Sequence, residues 1–219
     1  MIEEEKLKEY EGIDKVISSI DMLKKIEIEG QRYIEIKSKI PAIDETLGGF
    51  EGGEVSVISG LTGNGKTLLA QTLTINFEEQ AIPCLWFSFE VLPRSFLRSF
   101  GHSLPLFYLP SQLKVNSLQW LEARIYEAIL KYGIKVVFID HLHFLIDIKC
   151  KHNMSLEIGF VMRTLKRIAI TYSLCIFLIA HTTKINPEKE LDTEDIRDCL
   201  PADQLIYVNG ARIRVDKIK

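Results

Sequence analysis

The chain has 219 residues, 47% of them hydrophobic, enough for one sizeable domain with an extension. Its 27 basic and 30 acidic residues leave a net charge of −3, which excludes a globally basic nucleic-acid binder, so any such contact must be a local patch. The acidic start Met1-Ile2-Glu3-Glu4-Glu5 lacks a signal-peptide core, no apolar run spans a bilayer, and Cys84, Cys150, Cys175 and Cys199 are scattered; a cytoplasmic or other reducing location without membrane contact is expected.

Residues 1–40 are rich in Glu and Lys. Ile13, Val16, Ile17, Ile20 and Leu23 recur at helical spacing, so an amphipathic helix is expected there. Its apolar stripe can pack on its own domain or dock on a neighbouring subunit. Residues 31–39 alternate and suggest a short extended segment. Residues 41–53 read as a short helix or turn followed by paired glycines. Val55-Ser56-Val57-Ile58-Ser59 is a buried strand. Gly60-Leu61-Thr62-Gly63-Asn64-Gly65-Lys66-Thr67 follows, and a helix begins at its end. Pro83 breaks the chain before Cys84-Leu85-Trp86-Phe87-Ser88-Phe89, a strand buried on both faces that ends in Glu90.

Pro93 opens a helix to about residue 100. Residues 101–116 are irregular, with a short strand near 106–109. Asn116 and Gln119 resemble a capping box for a helix to Tyr132, which Gly133 stops. Four apolar residues from Val136 end in Asp140. Ser155 is placed to cap a helix to Tyr172 with Ile158, Val161, Leu165, Ile168 and Tyr172 inward. Another buried strand, 175–180, ends at His181. A polar loop runs to about residue 198. Two last strands are joined by the turn Asn209-Gly210. The expected fold is α/β: a mainly parallel sheet flanked by helices, with an antiparallel hairpin at one edge. Residues 1–40 form a linker or docking region and 41–219 the main domain.

Residues 60–67 fit G-x-x-x-x-G-K-[ST], a phosphate-binding loop, in the strand-to-helix context that loop requires. Glycines let the backbone approach a ligand, and the helix end offers N–H groups and positive charge. Gly60, Thr62, Gly63, Asn64, Gly65, Lys66 and Thr67 are the expected ATP contacts. Lys66 reaches the β- and γ-phosphates, and the Thr67 hydroxyl and Asp140 hold Mg²⁺. Glu90 is placed to act as base on the attacking water, and His181 to sense the γ-phosphate or to serve structure. Each stands at or just past a strand end, so all are expected to converge at the carboxyl edge of the sheet. His141 and His143 are read as packing or loop contacts.

The order of these parts from about residue 40 to the end resembles the RecA-like motor domain of DnaB-type replicative helicases (superfamily 4), including the phage primase-helicases and the mitochondrial helicase Twinkle. The segments that carry the resemblance are residues 40–50, residues 60–67, Phe87-Ser88-Phe89-Glu90, residues 136–140 and the stretch around His181. The resemblance implies an ATP-driven ring, usually hexameric, that translocates on single-stranded DNA. It implies Glu90 as catalytic base and Asp140 as the Walker B acid. It places Lys149, Lys151 and Lys184 in DNA-binding loops, though these also read as solvated lysines. The N-terminal helix corresponds to a linker that docks on the next subunit. Lys217 corresponds to a Lys that acts in trans beside an Arg finger, whose own position falls at or beyond Lys219. A RecA/RadA- or KaiC-like ATPase that works in recombination or regulation without unwinding is the alternative.

Overall fold

The computed structural model describes residues 8–12, 14–29, 35–60, 63–101, 104–114, 117–146, 154–181, 205–208 and 211–214. The chain divides into two compact units, Met1–Ile34 and Glu35–Lys219.

In the first unit, helix α1 spans Ser19–Glu29. The expected helix began at Ile13, and its start is corrected to Ser19. The reason is a local cap. The Ser18 hydroxyl accepts from the Asp21 N–H (3.0 Å), and the Ser18 carbonyl accepts from Met22 N–H (2.9 Å). The helix therefore starts after Ser18, and Val16 lies outside it, 99% exposed.

The second unit is built on a six-stranded sheet in the order β2-β3-β4-β1-β5-β6. Its strands are β1 (Val55–Gly60), β2 (Cys84–Ser88), β3 (Val136–Asp140), β4 (Cys175–His181), β5 (Leu205–Val208) and β6 (Ala211–Arg214). The first four are mutually parallel. Strand β5 runs antiparallel to β1 and β6 antiparallel to β5, with Val208 opposite Ala211. The expected edge hairpin is thus present; its turn residues Asn209 and Gly210 lie outside the described residues.

Alternation along each strand divides the core between the two faces of the sheet. Leu85, Phe87, Val137, Ile139, Ile176 and Leu178 face one side with Leu121 and Ile125 of α5 (Leu118–Tyr132) and Leu165 and Ile168 of α6 (Met154–Tyr172). Trp86, Phe138, Phe177 and Ile58 face the other, with Ala70, Leu73 and Phe77 of α3 (Lys66–Glu78), Ile43 of α2 (Pro41–Leu47) and Phe96 of α4 (Pro93–Arg98). Each such buried side chain contributes about 1.5–3 kcal/mol. Stacked rings bind the second face together: Trp86 lies 4.7 Å from Phe138, and Phe138 5.0 Å from Phe177.

Two helix starts differ from expectation by a residue. Ser117, not Asn116, caps α5; its side chain accepts from Trp120 N–H at 3.2 Å. Helix α6 already includes Met154, so Ser155 lies inside its first turn. Gly133 ends α5 in the left-handed conformation, φ 65°, as its sequence position implied. The expected strand near 106–109 is a single parallel bridge, Leu85 with Tyr108, and Ile36 bridges Phe50 ahead of β1.

Candidate functional site

Strand β1 delivers the chain to the glycine loop, and α3 starts at its far end. Gly63 and Gly65 have φ of 86° and 77°. A Cβ at either would touch nothing within 4 Å, so glycine is needed there for backbone conformation, not for space. Gly65 caps α3, and its carbonyl accepts from Leu69 N–H at 2.8 Å, which sets the helix end directly behind the loop. Thr62 lies outside the described residues.

Lys66 is only 6% exposed, and its ammonium donates to the Gly60 carbonyl at 2.8 Å, folding the loop back on the end of β1. Burial holds the Lys66 pKa below its ordinary value; the nearby carboxylates of Glu90 and Asp140 act in the opposite sense. Next along α3, the Thr67 hydroxyl donates to Asp140 Oδ2 at 2.8 Å. Asp140 itself is 1% exposed at the end of β3. Residues 73 apart in sequence thus meet because β1 and β3 present their carboxyl ends on one sheet rim.

Glu90 reaches the same rim from β2. Ser88 pairs with Asp140 in parallel register, and Phe89 N–H donates to the Asp140 carbonyl at 2.7 Å, so the chain is held against β3 one residue before Glu90. The Glu90 side chain is 38% exposed, open enough to meet water. His181 ends β4 in register with Gly60, next to the start of the loop. Lys66, Thr67, Glu90 and Asp140 are brought together, and the backbone of His181 ends beside them.

The sequence reading set His141 aside as a packing residue. Its Nδ1 lies 3.9 Å from Glu90 Oε2, and one donor atom each from Glu90, Asp140 and His141 fall within 4.8 Å of one another. The signal was present as an Asp-His-x-His run at a strand end, which joins metal-ligand types in one place. Leu142–Leu145 then form a 3₁₀ turn that places Phe144 edge-on to the His141 ring at 4.9 Å. Lys149, Lys151, Lys184 and Lys217 lie outside the described residues.

The donor set suits a magnesium triphosphate. A hydroxyl on a buried carboxylate offers hard oxygen ligands, and a helix N-terminus with a buried ammonium offers positive charge to phosphate oxygens.

Residues 36–104 match the ATPase family described as KaiC. The chain is 34% identical over 126 residues to the circadian clock oscillator protein KaiC of Picosynechococcus sp., over 48% of this chain and 24% of that protein. It thus spans about a quarter of the length of that curated relative. Among solved structures, the ATPase domain of a DnaB-like helicase superposes with a TM-score of 0.66 at 15% identity, over 82% of this chain and 76% of that one. The fold is therefore that of a RecA-like ATPase domain, with the parallel sheet and flanking helices of that class.

Proposed function

We propose that the chain is an ATP-hydrolysing motor domain of the DnaB type that moves along single-stranded DNA as a homo-oligomeric ring, usually a hexamer in such motors. The observation that carries the ATPase half is the meeting of Lys66, Thr67, Glu90 and Asp140 at one sheet rim. The fold likeness to a DnaB-like ATPase domain and the order of sequence motifs support the motor half.

The Lys66 ammonium and the α3 N-terminus bind the β- and γ-phosphates and neutralise charge that builds as the terminal phosphoryl group departs. Thr67 and Asp140 would hold Mg²⁺, which supplies further positive charge to the phosphate oxygens when bound. Glu90 accepts the proton of the water that attacks the γ-phosphorus, while the bond to the β-phosphate oxygen breaks and ADP leaves. Such a positioned base contributes roughly 10²–10⁴-fold in rate. His181, at the end of β4, passes the state of the γ-phosphate to the loop behind it. Lys149, Lys151 and Lys184 contact the DNA backbone, and Lys217 acts on a neighbour's nucleotide. Helix α1, with Ile20, Leu23 and Ile28 more than half exposed, docks on the adjacent subunit.

The test is steady-state ATP turnover with and without single-stranded DNA, followed by strand separation of a forked duplex. Stimulation by DNA with unwinding is expected. A second reading, a KaiC-like ATPase that regulates partners without unwinding, is favoured by the match over residues 36–104 and by the 34% identity to KaiC. Turnover indifferent to DNA would select it and sink the motor reading.

A further inference from the structure

ATP hydrolysis as proposed above gives no role to His141, although its ring stands between the two carboxylates most important to it. Glu90, Asp140 and His141 offer one nitrogen and two oxygen donors, all within 4.8 Å of one another. Donors around one first-row dication, at bond lengths of about 2.0–2.2 Å, sit roughly 3–4.3 Å apart. His141 Nδ1 and Glu90 Oε2 are already at 3.9 Å, so the set closes on an ion with shifts of a few tenths of an ångström.

The scaffold is firm. Asp140 is 1% exposed, the β2 and β3 ends are tied by the Phe89 N–H bond to Asp140, and the His141 side chain is 13% exposed. The His141 ring is edge-on to Phe144, and Phe144 stacks on Phe89 at 5.9 Å. A separate observation points the same way. Ser88, 5% exposed and in register with Asp140 on the neighbouring strand, has a buried hydroxyl with no hydrogen-bond partner. An orphaned buried hydroxyl costs about 1–3 kcal/mol and finds its partner once an ion and its water fill the space beside Asp140.

Charge permits this. The two carboxylates outweigh the one nearby ammonium of Lys66, leaving a net attraction for a dication. Donor chemistry then selects the ion. Magnesium takes oxygen ligands and keeps several waters, and the pair Thr67 and Asp140 meets that need. An imidazole nitrogen favours cobalt, nickel or zinc over magnesium.

We propose that Glu90, Asp140 and His141 form a site for a transition-metal dication of the Co²⁺ or Zn²⁺ class, filled in the absence of nucleotide. Asp140 is shared between this site and the magnesium position, so the two compete. An ion here also takes Glu90 out of reach of the attacking water, which makes the site inhibitory; that second consequence rests on the role proposed for Glu90.

The test is titration of the nucleotide-free full chain with Co²⁺, followed by visible absorption and calorimetry. One equivalent is expected to bind, with at least tenfold weaker affinity in His141→Ala, less than threefold change in His143→Ala, and little displacement by millimolar Mg²⁺. Proton NMR of the wild type supplies a readout that no variant can spoil: one imidazole with hyperfine-shifted resonances. Co²⁺ affinity equal within twofold in wild type and His141→Ala, or binding without a shifted imidazole, overturns the site. Because this is read without ATP, it stands or falls apart from turnover. Turnover in Mg²⁺ with no Co²⁺ binding defeats the metal proposal alone, and Co²⁺ binding without turnover defeats the ATPase reading alone.

Discussion

Consider Thr67→Val, a change of nearly equal volume that removes one hydroxyl. In the structure that hydroxyl donates to Asp140 Oδ2 at 2.8 Å, and the carboxylate it serves is 1% exposed. A hydrogen bond to a charged group contributes about 1.5–3 kcal/mol, and a buried carboxylate deprived of a donor loses that amount rather than regaining it from water. For a chain of this size 1 kcal/mol corresponds to roughly 2–4 °C in Tm, so a fall of about 3–12 °C is expected at pH 7. Thr67→Ser keeps the hydroxyl and should stay within about 2 °C of wild type on the same scale. The assay is thermal unfolding by circular dichroism, without nucleotide, for all three proteins. Adding Mg²⁺ and ATP should raise the Tm of wild type and Thr67→Ser by ligand linkage and that of Thr67→Val far less. A Thr67→Val protein that melts with wild type and gains equally from Mg²⁺ and ATP would refute the link drawn between α3 and β3.

Other expectations follow from the same geometry. Burial holds the Lys66 pKa down, so the folded chain binds that proton less tightly than the unfolded chain, and stability gains from Lys66 deprotonation as pH rises toward 10.5. A triphosphate needs the ammonium form, so its affinity should begin to fall at a lower pH than for an ordinary lysine, and Lys66→Arg, checked by equilibrium binding across pH 7–10, should flatten that profile. On the opposite face, Arg167 holds Glu122 through two hydrogen bonds, 2.9 and 2.7 Å, and lowers the Glu122 pKa from its ordinary 4.5. A lowered carboxyl pKa gives stability that is present above 4.5 and lost as pH falls through the folded value. Glu122→Gln should therefore cost about 0.5–1 kcal/mol at neutral pH, modest because Arg167 is half exposed, and the gap in urea midpoints should narrow in acid. In the core, Trp86 Nε1 donates to Thr74 Oγ1 at 2.9 Å with both residues fully buried. Thr74→Val leaves that N–H unpaired and should cost about 1–3 kcal/mol in chemical unfolding, with a changed tryptophan emission.

Much of this was legible in the residues because burial imposes simple patterns. Strands β2, β3 and β4 lie inside a parallel sheet covered on both faces, so Cys84–Ser88, Val136–Asp140 and Cys175–His181 read as unbroken apolar runs that end in polar groups. The glycine loop was equally plain, since its conformation admits few residues at Gly63 and Gly65. What was not legible came from local competition and from space. Ser18 and Ser117 each took the capping role from the position the periodicity favoured, because one side-chain hydrogen bond decides where a helix begins. The place of His141 depends on which strand ends are neighbours. Only the register of β2 against β3 reveals that Glu90 arrives beside it, and no periodicity in one sequence carries that.

The central claim is that Glu90 serves the water while Lys66, Thr67 and Asp140 serve the phosphates and their ion, and the most direct measurement separates the two. Glu90→Gln should bind ATP with Mg²⁺ within about threefold of wild type, yet turn it over at least ~100-fold more slowly, the loss of a positioned base. Unchanged turnover in Glu90→Gln, with ATP bound as in wild type, would contradict the assignment.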